Sequence, residues 1–111
     1  MINKLSFKKD FYSDARGKYS RCINVYCRKC SNFILTYQKD GPGNLRRLYF
    51  DRIFFPNNLA NLQNKELEDI SYLRCSKCKE FLGIPYVYMK EKRKSFKLFQ
   101  DAVVKKLRKL N

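Results

Sequence analysis

Histidine is absent from the 111 residues, which removes both a catalytic zinc with imidazole ligands and the commonest general base. No apolar run approaches the ~18 to 20 residues of a membrane-spanning helix, and the opening "MINKLSFKKDFYSDARGKYS" lacks the apolar core of a secretory leader. A cytoplasmic protein with reduced thiols is the expectation. Acidic residues are also scarce, at 10 Asp plus Glu against 25 Lys plus Arg. They form no recognisable catalytic pair, and "DGPGN" has neither the glycines nor the Gly-Lys-Ser/Thr sequence that cradles a nucleotide. Binding is therefore expected of this chain, and an enzyme is not.

Five cysteines stand out against these absences, four of them in two CxxC pairs: "VYCRKCSNFILTYQ" and "YLRCSKCKEFLGIPY". A chain this short buries a modest share of its surface, so a metal cross-link is useful to it. Two cysteines separated by two residues can turn toward one ion through a tight knuckle, and two knuckles fill a tetrahedral shell. Cys27, Cys30, Cys75 and Cys78 are the candidate ligands of one structural Zn²⁺, with 44 residues between the pairs. A closed four-thiolate shell leaves no position for a reactive water, so the site is structural and not catalytic. A redox CxxC, an iron site on the same sulfurs and disulfides are the alternatives. Arg28, Lys29, Arg74, Lys77 and Lys79 around the knuckles would offset the charge of a zinc tetrathiolate. Cys22, five positions before Cys27, falls on the opposite face of an extended strand and is expected to be a small core or surface residue, with ligand swapping or a redox role as the alternative.

The segments "INVYC", "FILTYQ", "LRRLYFDRIFF" and "IPYVYM" are rich in the β-branched and aromatic residues that suit a pleated sheet. Between the second and third, "KDGPGN" supplies turn chemistry, which predicts an antiparallel hairpin of residues 33–38 with 45–55. Residues 57–70 read as a short helix or connection capping the sheet through Leu59, Leu62, Leu67 and Ile70. Toward the C-terminus, Phe96, Phe99, Val103, Leu107 and Leu110 recur at steps of three and four behind Ser95, a candidate N-cap, which predicts a helix. A hairpin turning at Gln100 and Asp101 is the rival. The expected organisation is a basic N-terminal arm over 1–21, a four-cysteine β domain over 22–90 and a basic C-terminal helix over 91–111.

The segment "CSKCKEFLGIPY" resembles the second zinc knuckle of the β-tent proteins, the group that includes Yippee proteins and the thalidomide-binding domain of cereblon. Cys75, Cys78, Leu82, Gly83 and Tyr86 match the pattern CxxCxxxLGxxY. The resemblance implies two antiparallel sheets pinned by zinc, with Gly83 giving unusual dihedrals where the chain leaves the knuckle. A zinc ribbon is the competing architecture. The chain has no Trp, so the tryptophan cage that holds cyclic imides in cereblon-type members does not carry over. The whole chain, with "YQKDGPGNLRRLYFDRIF" as its signature, also resembles small bacterial proteins with paired CxxC motifs, a likeness that implies no function.

The formal charge of +15, about +13 with a zinc tetrathiolate, points to polyanionic partners. Nucleic acid is the expected ligand, with RNA or the ribosome ahead of DNA, because no recognition-helix pattern for a major groove is visible. Arg46 and Arg47 after the turn, with Arg52 on the same strand, form an expected basic rim. Lys92, Arg93, Lys94, Lys97, Lys105, Lys106, Arg108 and Lys109 supply the second expected surface, while Tyr49, Phe50, Phe54 and Phe55 are expected in the core. Two other binding classes remain: an adaptor that takes an acidic protein or peptide in a zinc-pinned groove, and attachment to an anionic membrane surface through the C-terminal segment.

Overall fold

The computed structural model describes residues 7–108. Its core lies between two four-stranded antiparallel sheets. The first sheet is built on β1 (Ser20–Cys27) and β2 (Phe33–Asp40), paired from Ser20 opposite Asp40 to Tyr26 opposite Phe33. Alternation along β1 sends Ile23, Val25 and Cys27 into the core, which is the period-2 burial that the sequence pattern implies.

The segment 45–55 does not make one hairpin arm. It divides into β3 (Arg47–Tyr49), a 3-10 turn (Phe50–Arg52) and β4 (Ile53–Phe55). Only β4 pairs with β2; β3 crosses to the second sheet. The turn is what makes the crossing useful, because it drives Phe50 into the core against Phe96, with ring centroids 4.8 Å apart. Phe55, expected in the core, instead ends β4 as an exposed ring beside Phe33. Residues 57–69 follow as α2 (Asn57–Ala60, after α1 below) and two 3-10 turns, and Leu62 and Ile70 enter the core while Leu59 and Leu67 pack against it.

The second sheet has the order β3, β7 (Arg93–Leu98), β6 (Phe81–Tyr88), β5 (Leu73–Arg74). The predicted C-terminal helix is absent among the described residues: the segment forms β7, a turn and β8 (Val103–Leu107). Nor is it a hairpin, since β7 lies between β3 and β6 while β8 joins the edge of the first sheet beside β1. Ser95, the expected helix cap, is fully buried inside β7. Non-local pairing outweighs a local helical period here, as it commonly does for Val- and Phe-rich segments.

Gly83 serves close approach and not dihedral freedom. A Cβ there would sit 2.8 Å from the Lys97 carbonyl oxygen of the neighbouring strand, and the left-handed residue of that knuckle is Lys79, at φ 68°. Gly41, by contrast, does take the positive φ of 82° expected of the turn.

The N-terminal lead-in contains one helical turn, α1 (Phe11–Ala15), capped reciprocally by Asp10 and Ser13. It is fastened to the body by guanidinium groups. Arg16 forks onto Glu91 with both bonds at 2.9 Å, and the Arg93 guanidinium is sandwiched 3.9 Å from the Tyr12 ring and 3.7 Å from the Tyr49 ring.

Candidate metal centre and cationic groove

The two cysteine knuckles are local copies of one another. In the first, Cys27 N–H donates to the Asn32 carbonyl, Ser31 N–H donates to the Cys27 carbonyl, and Ser31 takes a φ of 65°. In the second, Cys75, Lys79 and Glu80 repeat the same bonds, with Lys79 at 68°. The β1–β2 connection carries one knuckle and the β5–β6 connection the other, so each sheet contributes two thiols.

These thiols converge. Cys27 Sγ lies 3.7 Å from Cys78 Sγ, Cys30 Sγ lies 3.5 Å from Cys75 Sγ, and all four sulfurs are within 4.8 Å of one another. Tetrahedral zinc at about 2.3 Å from each sulfur sets sulfur–sulfur edges of about 3.8 Å, so the donor set fits such an ion. The Asn32 amide and the Cys78 N–H point at Cys75 Sγ at 3.7 and 3.5 Å. Burial pushes the Cys75 thiol up, but amide donors from Cys78 and Lys77 and the Cys30 thiol outweigh it and bring it down to about 6. For Cys78 an amide donor at Glu80 favours the thiolate, yet desolvation and the three neighbouring sulfurs push it up to about 11. Of these two, the Cys78 thiolate is therefore the less favourable, and a cation among the four sulfurs would relieve it. Cys22 lies outside the cluster; it is buried, and desolvation raises its pKa.

The basic residues predicted to bind nucleic acid part company in the structure. Arg52 is 1% exposed, with Nε donating to Asp40 Oδ2 at 2.8 Å and Nη2 to Asp10 Oδ1 at 2.6 Å. Arg93 is buried too, donating to Asp51 Oδ1 at 2.8 Å and Glu91 Oε1 at 3.2 Å. Both are internal cross-links, which corrects the expected place of Arg52 on the basic rim and of Arg93 on the second surface: the carboxylates that hold them leave no face for a phosphate. Lys94 donates to the Lys65 carbonyl, Lys92 occupies the β6–β7 turn, Lys106 projects beside the Tyr26 ring, and Arg108 reaches toward Thr36 Oγ1. Lys109 lies outside the described residues.

Arg46, Arg47, Lys97 and Lys105 do come together. They line two adjoining hollows of ≈ 680 and ≈ 360 Å³ that share Asn44, Leu45, Leu98, Phe99 and Asp101, and so form one groove between the β2–β3 connection and the corner that joins β7 to β8. Arg28 joins Lys105 on the first-sheet side, while Arg46, Arg47 and Lys97 stand on the other. Among the described residues none of these five cations is in an ion pair. Arg47 and Lys97 are direct cross-strand partners, a like-charge pairing that costs stability. Five of the ten carboxylates are committed elsewhere: Asp10, Asp40, Asp51 and Glu91 hold Arg16, Arg52 and Arg93, and Glu80 pairs with Lys29, while Asp101 lines the groove without pairing to any of the five cations. Arg47 is steadied by Tyr86, whose hydroxyl accepts from Nε at 2.8 Å, and by the Tyr88 ring 4.0 Å away.

Sequence reasoning missed Arg28 and Phe99 as groove residues. Arg28 reaches the groove because β8 pairs with β1, Cys27 opposite Val103, and no local pattern announces that pairing. A separate cleft of ≈ 530 Å³, lined by Phe33, Leu59, Leu62, Tyr72, Leu73 and Phe96 among others, lies beside the second knuckle. No helix among the described residues is long and apolar enough to cross a membrane. No protein-family model, curated protein or solved structure matches the chain.

Proposed function

We propose that this protein is a zinc-stabilised, non-enzymatic accessory protein that binds nucleic acid through the cationic groove, RNA ahead of DNA. The observation that carries this reading is the cross-strand pair of Arg47 and Lys97 set among three further cations with no ion-pair partner among the described residues. A fold that sets five cations around one groove with, among the described residues, a single carboxylate beside them, and places two like charges opposite one another, is suited to an anion that arrives from outside. Phosphates spaced along a strand meet that need through Coulomb attraction and counterion release. Among the described residues, helices of five and four residues offer nothing to lay in a DNA major groove, which is why RNA leads.

Zinc is the proposed ion because four thiolates in a tetrahedral set favour it, and its role is to join the two sheets. The likeness of the second knuckle to β-tent proteins is proposed as a kinship of fold alone, with no ligand attached to it.

The test is fluorescence anisotropy of the zinc-loaded protein with hairpin RNA and duplex DNA across a salt titration, beside the triple variant Arg46→Ala, Lys97→Ala, Lys105→Ala. Each lost phosphate contact flattens the log–log salt slope by about 0.7 to 0.9, so the triple variant is expected to lose about 2 or more. An unchanged slope refutes the groove as the site. The cleft beside the second knuckle favours a second reading, an adaptor that seats an apolar peptide side chain there. A defined partner that stays bound after nuclease treatment and is lost on Leu73→Lys supports that reading.

A further inference from the structure

We infer that the groove is built for a single strand, with a base stacked on Phe99 between two phosphate-binding walls; the inference rests on the nucleic-acid reading above. Three features point there. The floor shared by the two hollows offers three apolar side chains, Leu45, Leu98 and Phe99, beside Asn44 and Asp101, and Phe99 is 44% exposed although it is a large ring. Cations flank this floor on both sides, Arg28 and Lys105 on one and Arg46 and Lys97 on the other. Finally, the turn that carries Phe99 is fixed at both ends, with Phe99 N–H donating to the Leu82 carbonyl at 3.0 Å and Ala102 N–H to the Phe99 carbonyl at 3.2 Å. The ring is thus presented on a held backbone.

A duplex has no use for such a floor. Its base faces are stacked inside and it offers phosphates on the outside, so an exposed ring would be covered by charged backbone and gain nothing. A single strand presents both surfaces at once: ring faces that stack on an exposed aromatic, and phosphates that run along cationic walls. Asp101, the one carboxylate among the described residues that line these two hollows, repels phosphate, which disfavours backbone at the floor and leaves it to bases. Stacking is indifferent to the identity of the base, so little sequence preference is expected.

The experiment uses the zinc-loaded full chain with oligo(U), oligo(dT) and a blunt RNA duplex of equal length at physiological salt. Either single strand is expected to bind at least about tenfold more tightly than the duplex, and Phe99→Ala to weaken single-strand binding about 5- to 100-fold without altering the salt slope or duplex binding. Because the chain has no tryptophan, Phe99→Trp places one indole in the groove. That variant is expected to keep the affinity, and its fluorescence to be quenched when a strand binds. It also serves as the readout if the alanine variant does not fold.

Duplex binding equal to or tighter than single-strand binding overturns the inference, as does an unquenched indole signal when the Phe99→Trp variant is strand-bound. In those cases a reduced salt slope in the Arg46, Lys97, Lys105 triple variant still upholds the groove as a nucleic-acid site. No binding to any of the three probes removes both readings together.

Discussion

Arg46 and Arg52 stand six positions apart in one basic stretch, and the structure exposes the first and buries the second between carboxylates, so exchanging each for a neutral residue gives a sharp contrast. Arg52→Met keeps most of the side-chain volume but strips the guanidinium from Asp40, whose side chain is 4% exposed, and from Asp10, whose side chain is 39% exposed. Removing one partner of a buried pair costs about 3 to 5 kcal/mol, because the other charge is left uncompensated. The lower end applies here. Asp40 Oδ1 still accepts from Ser20 Oγ at 2.6 Å and Gln38 Nε2 at 2.8 Å, and Asp10 can turn to water. A loss of about 3 kcal/mol lowers the melting temperature by roughly 10 to 20 °C in a domain of this size. Arg46→Ala, on an exposed side chain without an ion pair, is expected to stay within about 0.5 kcal/mol of the parent and to lose nucleic-acid affinity instead. Urea denaturation followed by circular dichroism on zinc-loaded protein measures both. The reasoning fails if Arg52→Met costs less than about 1 kcal/mol or if Arg46→Ala costs as much. The double variant Asp40→Asn, Arg52→Met should recover part of the loss, since it removes the stranded charge along with its partner.

Three further outcomes are expected. Purified without chelator, the protein should carry one zinc per chain, lose its β signal on chelation, and bind no zinc as Cys75→Ala, while Cys22→Ala keeps the full metal content; a zinc-free folded protein would refute the structural role. Gly83→Ala places a methyl carbon 2.8 Å from the Lys97 carbonyl, where backbone must yield, and should cost about 1 to 3 kcal/mol; an unaltered denaturation midpoint would refute the close approach. Arg52 beside Asp10, helped by the amides of Ser13 and Tyr12, holds that carboxyl down to about 2 against an ordinary 3.8. Since the folded value is the lower one, the stabilisation is complete above about pH 4 and is lost as pH falls toward 2. The Asp10 carboxyl ¹³C shift should therefore keep its ionised value through pH 3.8 and move only as the pH approaches 2, and a midpoint near 3.8 would contradict the pairing.

The cysteine spacing was the most legible part of the chain, because CxxC geometry is local: four residues decide a knuckle, and two knuckles decide a site. Strand content was legible for a similar reason, and β1, β2 and β6 fall where β-branched and aromatic residues concentrate. Partner choice was not. Residues 45–55 look like one strand because Leu48, Tyr49, Phe50, Ile53 and Phe54 all suit a sheet, and only the placement of Phe50 against Phe96 reveals the turn that splits them. The C-terminal helix failed for the converse reason. Steps of three and four between Phe96, Phe99 and Val103 arise from two strands meeting at a corner, with Asp101 at a φ of 58° between them. Charge was the least legible quantity. Composition counts Arg52 and Lys97 alike, although one is sealed by carboxylates and the other faces a cation across the sheet.

The pairing of β8 with β1 has a consequence for the order of events during synthesis. Ile23 waits for Leu107, and Cys27 for Val103, so the first sheet cannot gain its last strand until nearly the whole described chain has been made. The first knuckle can form early from local bonds, yet a four-sulfur site needs two more thiols, the first of which comes 45 positions after Cys30. Contacts of such long sequence separation slow folding, and they also time it. Lys105 and the corner bearing Phe99 are among the last residues to be placed. A nascent chain therefore stays unfinished, and without a groove, until it has been released far enough for β8 to reach β1.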